Sequence, residues 1–400
     1  MIIRFNTLLS KIHNSDSINK ALHDFNCSLE AEAHKRGIKF VGEEYKGPID
    51  LEVWYVKSGG VENYFEEKFD SSNKHYILLT TDKHNSLPAS LEIHSFITQQ
   101  GCTAEILHGS PSKIVERISK IAKVKKTIKE LKNTRIGVIG KPSDWLIASD
   151  VNYISIKEQL GIELIDINLD EFYSIWKDID EGFVRTEYSS HQAILNYNQQ
   201  EVSRANTAYK VLKILINKYN LQALTIRCFD LVEKDYGTGC LALSFLNSEN
   251  IISGCEGDIT GVISMVILNK LSGQPVFMAN PSRINQESNE VLMAHCTLPW
   301  NMATDIKLDT HFETGQGIGV KGEIPIGDAT VFRMSNAAEN YFVSSAQILA
   351  NNNDESLCRT QITMKLNESV NYFLNHPYGN HHLICNGDYT DLVNLFFELK

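Results

Sequence analysis

Short apolar runs alternate with amphipathic segments along the first third of the 400-residue chain. Residues 50–56, 75–80 and 103–107 have the length and composition of buried strands, and 89–99 has helical spacing of its apolar side chains. Residues 113–132 add an amphipathic helix with a lysine-rich outer face. This order of elements is typical of a parallel sheet covered by helices, so the chain is predicted to be an α/β protein.

The same pattern starts again after Thr134, and the last third of the chain differs. Residues 135–140 form a strand-like run that ends in glycine, and 259–271 is predicted to be a helix. Residues 328–334 and 360–364 alternate between apolar and polar side chains instead, which is typical of antiparallel strands.

The length of the chain exceeds what one ordinary hydrophobic core supports. We therefore predict three domains: two parallel-sheet α/β (Rossmann-like) domains over residues 1–132 and 133–272, and a mostly antiparallel, β-rich C-terminal domain over 273–400.

Charge and hydropathy exclude two classes of partner. A net charge of −11 argues against nucleic-acid binding, which depends on neutralising phosphates. No apolar run reaches the ~18 residues of a membrane helix, and no signal peptide is evident. The eight cysteines show no Cys-x-x-Cys spacing, so we expect reduced thiols in a cytoplasmic protein with neither membrane nor nucleic-acid partner.

The carboxylates of Glu256 and Asp258 lie between a strand-like run and a helix-like run. Asp258 directly precedes the helix, so it could cap the helix or support a site. Glu256 has no evident capping role, and a buried glutamate needs a cation or a proton. Because ligands collect at the carboxyl ends of parallel strands, Glu256 is the stronger functional candidate.

Histidines downstream could complete a ligand set. His295 follows alternating apolar residues, and His381 and His382 are adjacent. A histidine on a strand often has a structural role, and neighbouring strand residues face opposite ways, so at most one of the pair should enter a site. A mixed carboxylate and imidazole set suits a divalent first-row metal, provided that these segments meet in space.

Two further segments have both a functional and an ordinary interpretation. Ser58 and Gly59 follow a predicted strand and form either a ligand loop or a plain turn between strand and helix. Arg359 could bind an anionic or hydroxyl-rich substrate, or form a surface salt bridge. No Gly-x-Ser-x-Gly or Walker sequence supports hydrolase or P-loop chemistry.

Segments 254–261, 271–275 and 294–297 together resemble the L-fucose isomerase and L-arabinose isomerase family, especially its shorter, fucose-isomerase-like members. The resemblance is specific over residues 227–297, looser after them and only architectural before residue 134. It implies interconversion of aldoses and ketoses through a cis-enediol with Mn²⁺. It also implies a homotrimer or homohexamer whose sites lie at subunit interfaces.

The resemblance also assigns roles to residues. Glu256 matches the family's first metal-binding glutamate, which also serves as a base. His295 matches a ligand histidine of the arabinose branch, and His381 and His382 match a pair of which one member binds the metal.

Asn280 departs from the family pattern, because it stands where the family has a second acidic ligand. An asparagine can offer its carbonyl oxygen to a metal, but it cannot transfer a proton at neutral pH. Either Asp258 or Glu313 replaces the missing carboxylate, or the reaction is different.

We therefore expect a Mn²⁺-dependent sugar isomerase, with Glu256 as base and ligand and with the sugar itself unidentified. Two alternatives stay open: a sugar-binding protein on the same scaffold without catalysis, and a metal-dependent hydrolase or lyase of a sugar derivative.

Overall fold

The computed structural model describes residues 1–12, 14–179 and 188–400. The chain divides into two compact units, Met1–Lys126 and Thr127–Glu398. Among the described residues, none of the helices has the length and apolar character needed to cross a membrane.

A parallel sheet forms the centre of the first unit. Its strands are β1 (Ile2–Leu8), β2 (Lys39–Val41), β3 (Leu51–Val56), β4 (His75–Leu79) and β5 (Thr103–Leu107). They pair in the order β2-β1-β3-β4-β5. β3 is buried along almost its whole length, because helices cover both faces of such a sheet.

The helices of the first unit pack their apolar faces on this sheet. They are α1 (Ser15–Ala21), α2 (His23–Lys35), α3 (Glu62–Glu66), α4 (Ser86–Gln99) and α5 (Pro111–Leu131), which continues into the second unit. In α4, Ala89, Ile93 and Ile97 recur every four residues and share one buried face. They pack in one core cluster with Trp54 and Val56 of β3.

The second unit contains another parallel sheet. Its strands are β6 (Arg135–Ile139), β7 (Glu163–Ile167), β8 (Ala223–Ile226) and β9 (Ile252–Gly254), in the order β7-β6-β8-β9. The helices are α6 (Tyr153–Leu160), α7 (Leu169–Asp178), α8 (Gln192–Leu195), α9 (Gln199–Tyr219), α10 (Phe229–Glu233), α11 (Cys240–Ser248) and α12 (Ile259–Ser272). Asp258 caps α12 at its start, and Gly273 ends it with a φ of 71°.

A closed antiparallel barrel follows in the same unit. The strands after α12 are β10 (Phe277–Asn285), β11 (Glu290–His295), β12 (Asp305–Asp309), β13 (Gly319–Glu323), β14 (Gly327–Met334), β15 (Tyr341–Asn351), β16 (Thr360–Leu366) and β17 (His382–Asn386). The barrel order is β10-β11-β16-β15-β14-β17, and β12 pairs with β13 separately. A 3₁₀ turn (Trp300–Met302), α13 (Tyr372–Asn375) and α14 (Thr390–Leu399) complete the unit.

The structure confirms the predicted fold class, since two parallel α/β sheets precede an antiparallel β-rich region. The closure of that region into a barrel was not predicted. The predicted boundary between residues 272 and 273 falls within the second unit, between α12 and β10, and the division into three domains stays a prediction.

Candidate metal centre

Loops at one edge of the second sheet supply the first part of the site. Trp145 follows β6, Phe229 follows β8 and Glu256 follows β9, so each lies just beyond the carboxyl end of its strand. Because the three strands are parallel neighbours, these ends meet at the same edge of the sheet.

The register of the barrel supplies the second part. Asn280 of β10 pairs with Ala294, the residue before His295 in β11. On its other side β10 pairs with β17, where Ala279 lies opposite His382, the residue after His381. Neighbouring strands therefore bring residues that are remote in sequence to one end of the barrel.

The backbone at Glu256 adopts a left-handed conformation, with a φ of 61°. This region is costly for a residue with a side chain, and such strain often accompanies functional sites. Gly257 follows with a φ of 70°, and a Cβ atom there would overlap the carbonyl oxygen of Lys141. The amide of Ser143 donates to the carbonyl oxygen of Glu256 at 2.9 Å, so the loop after β6 holds the strained turn in place.

The side chain of Glu256 reaches both halves of the site. The Nε1 of Trp145 donates to its Oε2 atom at 2.7 Å. Its Oε1 atom lies 3.4 Å from Nε2 of His381 and 3.7 Å from Nε2 of His295. Atoms of Glu256, His295 and His381 that could bind a metal all lie within 4.8 Å of one another, and all three residues are buried. The sequence prediction that these segments converge is thus met by the geometry.

Two buried polar atoms at this cluster have no hydrogen-bond partner among the described residues: Nε2 of His381 and Oδ1 of Asn280. Burying such atoms unpaired is costly, and a cation that accepts their lone pairs removes the cost. A carboxylate oxygen, two imidazole nitrogens and an amide oxygen form a donor set that fits a divalent first-row cation. The residues present therefore fit a metal ion.

Asp258 supports the cluster without lining it. Its Oδ1 atom accepts from the amide of Gly261 at 2.7 Å and from Arg333 at 3.1 Å. Its Oδ2 atom accepts from Arg333 at 2.8 Å and from Nδ1 of His381 at 2.9 Å. Asp258 is both the predicted cap and a partner of His381. With both oxygens engaged and no exposure, it is not placed to carry a proton in place of the acidic group that the family resemblance implies at position 280.

The charges of this cluster shift the pKa values of its members. Burial alone would raise the pKa of Glu256, but the positive charges of His381 and His295 close to its carboxylate outweigh burial, so the pKa lies well below its usual range. Burial opposes ionisation of Asp258 too, but Arg333 and His381 hold its pKa low. Burial would lower the pKa of His381, yet Glu256 and Asp258 raise it to about 9, so a cation that binds Nε2 would displace a proton from it.

His382 points away from the cluster. Its Nε2 atom lies 3.0 Å from the hydroxyl of Tyr372, and its ring packs against Phe342 and Phe373. The alternation of strand residues, on which the sequence argument depended, separates it from His381.

A cavity of about 380 Å³ opens onto the cluster. The residues that line it are Trp145, Cys228, Phe229, Cys240, Cys255, Glu256, Asn280, His295, Cys296, His311, Glu313, Cys358 and Asn380. Five of the eight cysteines are thus gathered around one cavity, all as free thiols. Sγ of Cys228 lies 3.7 Å from Sγ of Cys255, and this contact together with burial raises the pKa of Cys228 well above its usual value.

The remaining predicted site residues lie in different places. Glu313 lines the cavity and is exposed. Arg359 does not line it; its guanidinium donates to the carbonyl and hydroxyl oxygens of Thr310 at 2.7 and 2.9 Å. Ser58 and Gly59 belong to the first unit, where the buried Ser58 hydroxyl accepts from the amide of Ser10 at 3.1 Å.

Sequence reasoning missed Trp145, His311 and Arg333. Trp145 had a usable signal, since it follows a parallel strand as Glu256 does. Arg333 had another, because it is a charged residue within the apolar strand β14 and therefore needs a buried partner. His311 lies in the connection between β12 and β13 and had no such signal.

Comparisons with known proteins find partial similarity to three proteins that are each named sulfoquinovose isomerase. No protein-family model matches the chain. It is 26% identical over 268 residues to the sulfoquinovose isomerase of Alkalicoccus urumqiensis, covering 64% of this chain and 60% of that protein. The sulfoquinovose isomerase of Priestia megaterium (strain ATCC 12872 / QMB1551) is 26% identical over 298 residues, covering 71% and 67%. That of Clostridium sp. (strain MSTE9) is 32% identical over 143 residues, covering 34% and 31%. The chain thus spans about 60% of the length of the Alkalicoccus relative.

Proposed function

We propose that this protein is a metal-dependent aldose–ketose isomerase that acts on a sugar. One observation carries the proposal: the ligand atoms of Glu256, His295 and His381 lie within 4.8 Å of one another, and Glu256 and His295 line a cavity large enough for a monosaccharide. The similarity to proteins named sulfoquinovose isomerase supports the same reaction class.

The chain would hold the cation through Oε1 of Glu256 and Nε2 of His295 and His381, with Oδ1 of Asn280 as a neutral fourth ligand. We propose Mn²⁺, as the family resemblance implies. When bound, such a cation supplies positive charge that stabilises an enediolate. With a single carboxylate in the set, the site carries less negative charge than one with two acidic ligands.

Glu256 is the proposed base for the carbon-bound proton. The carboxyl group is ionised, because its pKa lies far below its usual range. The indole of Trp145 binds Oε2 and thereby fixes the orientation of the carboxylate. In the proposed reaction the carboxylate removes the proton from C2 of the aldose and returns it to C1 of the enediol.

Two aromatic side chains in the cavity wall also suit a sugar ring. The rings of Trp145 and Phe229 meet edge to face, with centroids 4.8 Å apart, and offer apolar surface to the C–H groups of a sugar. We propose a sulfonated aldose such as sulfoquinovose as the first substrate to test, because the relatives are named sulfoquinovose isomerase.

We also propose that the protein is cytoplasmic and forms a homotrimer or homohexamer. Light scattering would measure the mass of the oligomer.

The test is proton NMR of Mn²⁺-loaded protein in D₂O with sulfoquinovose, L-fucose and L-arabinose. We expect deuterium at the transferred position and conversion to ketose for at least one sugar. Glu256→Gln should abolish both signals, whereas the exposed control Glu287→Gln should retain them. Exchange that survives Glu256→Gln would refute the role of Glu256.

Two other outcomes of this experiment would favour the alternative functions, a sugar-binding protein without catalysis or a metal-dependent hydrolase or lyase. Tight sugar binding without exchange, whichever divalent cation is added, would indicate a binding protein that lost catalysis with the acidic group at position 280. A product of altered mass would indicate a hydrolase or lyase, since isomerisation leaves mass unchanged.

A further inference from the structure

The reaction proposed above moves two protons, and Glu256 accounts for one of them. As the aldose becomes the ketose, one proton passes from C2 to C1. A second proton leaves the oxygen on C2, and the oxygen on C1 gains one. Asn280, which lines the cavity with Glu256, cannot transfer a proton at neutral pH, so the proposed reaction needs another side chain to move the proton between the oxygens.

We propose that His311 is this second catalytic residue and carries the proton between the two substrate oxygens. The inference rests on the proposed isomerase function. His311 lines the same cavity as Glu256 and His295 and is buried, with 8% of its surface exposed. Its ring packs edge to face against Phe229, with centroids 5.3 Å apart.

The loop around His311 fixes the ring and leaves one nitrogen available. The His311 amide donates to the carbonyl of Gln316 at 2.9 Å, and its own carbonyl accepts from Gly315 at 2.8 Å. Its Nδ1 atom lies 3.2 Å from the hydroxyl of Thr314. Among the described residues, Nε2 has no hydrogen-bond partner, and the ring belongs to a residue that lines the cavity.

The chemistry of the ring suits the transfer. Burial, together with the neighbouring His295, lowers the pKa of His311 to about 4, so the imidazole is neutral near pH 7. A neutral imidazole takes a proton on Nε2 from one oxygen and gives it to the other. The hydroxyl of Thr314 can donate to Nδ1 or accept from it, so it accommodates both protonation states.

The other titratable side chains around the cavity fit this task less well. The thiols of Cys228, Cys240, Cys255 and Cys358 have raised pKa values, so they remain protonated near pH 7. A hydrogen bond from Cys358 instead lowers the pKa of Cys296 to about 6, but that bond already engages its sulfur, and only 2% of the residue is exposed. Glu313 is exposed at the cavity, and no contact of the described residues fixes its carboxylate there. It is therefore the rival that the experiment must include.

The experiment compares His311→Gln, Glu313→Gln and the exposed control His376→Gln as Mn²⁺-loaded proteins in D₂O. Ketose formation and deuterium incorporation at C2 of the aldose are both measured by NMR, and Mn²⁺ binding by titration calorimetry. In His311→Gln we expect ketose formation to fall about 100-fold or more while deuterium exchange falls much less. Mn²⁺ binding should be unchanged, and His376→Gln should match the wild type.

The ratio of exchange to isomerisation separates catalysis from a structural role. A merely structural effect lowers both rates equally, and that result would overturn the inference, as would a His311→Gln variant with wild-type ketose formation. Uncoupling by Glu313→Gln instead would assign the role to Glu313. If the wild-type protein neither exchanges nor isomerises any aldose tested, the proposed function itself fails, which is a distinct outcome.

Discussion

Nδ1 of His381 lies 2.9 Å from Oδ2 of Asp258, and neither side chain has any exposed surface. Because the N–H on Nδ1 donates to this carboxylate, the opposite nitrogen, Nε2, faces Glu256. Carboxylates that bind the far side of a ligand histidine fix its orientation and increase its basicity. Arg333, fully buried, binds the same carboxylate in a bidentate manner.

Replacing the carboxylate should therefore damage both the fold and the site. Asp258→Asn leaves the Arg333 charge buried without an anion. We expect a loss of about 3–5 kcal/mol in the free energy of unfolding and a 10–100-fold weaker affinity for Mn²⁺. Urea denaturation and titration calorimetry measure the two effects.

Asp354→Asn is the matched control, because Asp354 also pairs with an arginine, Arg283, whose side chain is 61% exposed. An exposed pair contributes no more than about 1 kcal/mol. Similar losses in Asp258→Asn and Asp354→Asn would contradict the role assigned to the buried pair.

The strained turn after β9 gives a second prediction. Gly257 and Gly273 have φ angles of 70° and 71°, but a Cβ atom meets the Lys141 carbonyl at the first position and nothing within 4 Å at the second. Gly273→Ala should cost only the conformational term of about 1–2 kcal/mol. Gly257→Ala should cost more and displace Glu256, so Mn²⁺ binding is lost.

Thermal unfolding and Mn²⁺ titration of both glycine variants provide the measurement. If Gly257→Ala binds Mn²⁺ as tightly as Gly273→Ala does, the turn does not determine where Glu256 lies.

Asn280 gives a third prediction. Within the part of the chain that the structure describes, its buried Oδ1 atom has no hydrogen-bond partner, so an added negative charge there should attract a cation more strongly. Asn280→Asp should raise the Mn²⁺ affinity about tenfold, and without a metal it should destabilise the fold through repulsion from Glu256. Electron paramagnetic resonance of free Mn²⁺ measures the affinity, with the exposed Asn375→Asp as control. An unchanged affinity would mean that residue 280 is not a ligand.

His382 predicts how acid affects stability. Burial and the charge of Arg333 lower its pKa to about 3. The carbonyl of Asn380 can only accept, so Nδ1 carries the proton and Nε2 accepts from the hydroxyl of Tyr372. A histidine in the unfolded chain titrates near 6.5. Between these values the unfolded chain binds a proton that the folded one does not, so stability is lost as the pH falls below about 6.5.

The loss is at most about 1.4 kcal/mol per pH unit. In metal-free protein, urea unfolding at about pH 7.5, 6.5 and 5.0 should show a shallower decline in stability for His382→Gln than for the wild type. Parallel declines in the two proteins would show that His382 does not titrate as proposed.

The sequence could predict those parts of the site that depend on local rules. Strand and helix periodicity placed Glu256 at a strand end, and the cap at Asp258 follows from its position before an apolar helix. The alternation of a strand separated His381 from His382. Arg333 could not be paired with Asp258 in this way, since their contact depends on how α12 packs against the barrel.

The gathering of the thiols depends on long-range structure in the same way. Cys296 and Cys358 lie next to the barrel strands β11 and β16, whereas Cys228 and Cys255 follow the sheet strands β8 and β9, and no spacing in the sequence relates the two pairs. Which side chains share the cavity is determined by strand register and barrel closure, which local periodicity does not encode.

β17 pairs with both β10 and β14 and so closes the barrel, and this position links the barrel to the proposed cation. His381 directly precedes β17, the strand that closes the barrel, whereas Glu256 follows β9 of the parallel sheet. An ion bound by both residues would stabilise the pairing of β17 with β10 and β14, and its binding free energy would add to the stability of the folded state by mass action. Removing the ion with a chelator should thus quicken amide hydrogen exchange along β17, beyond the residues that touch the metal.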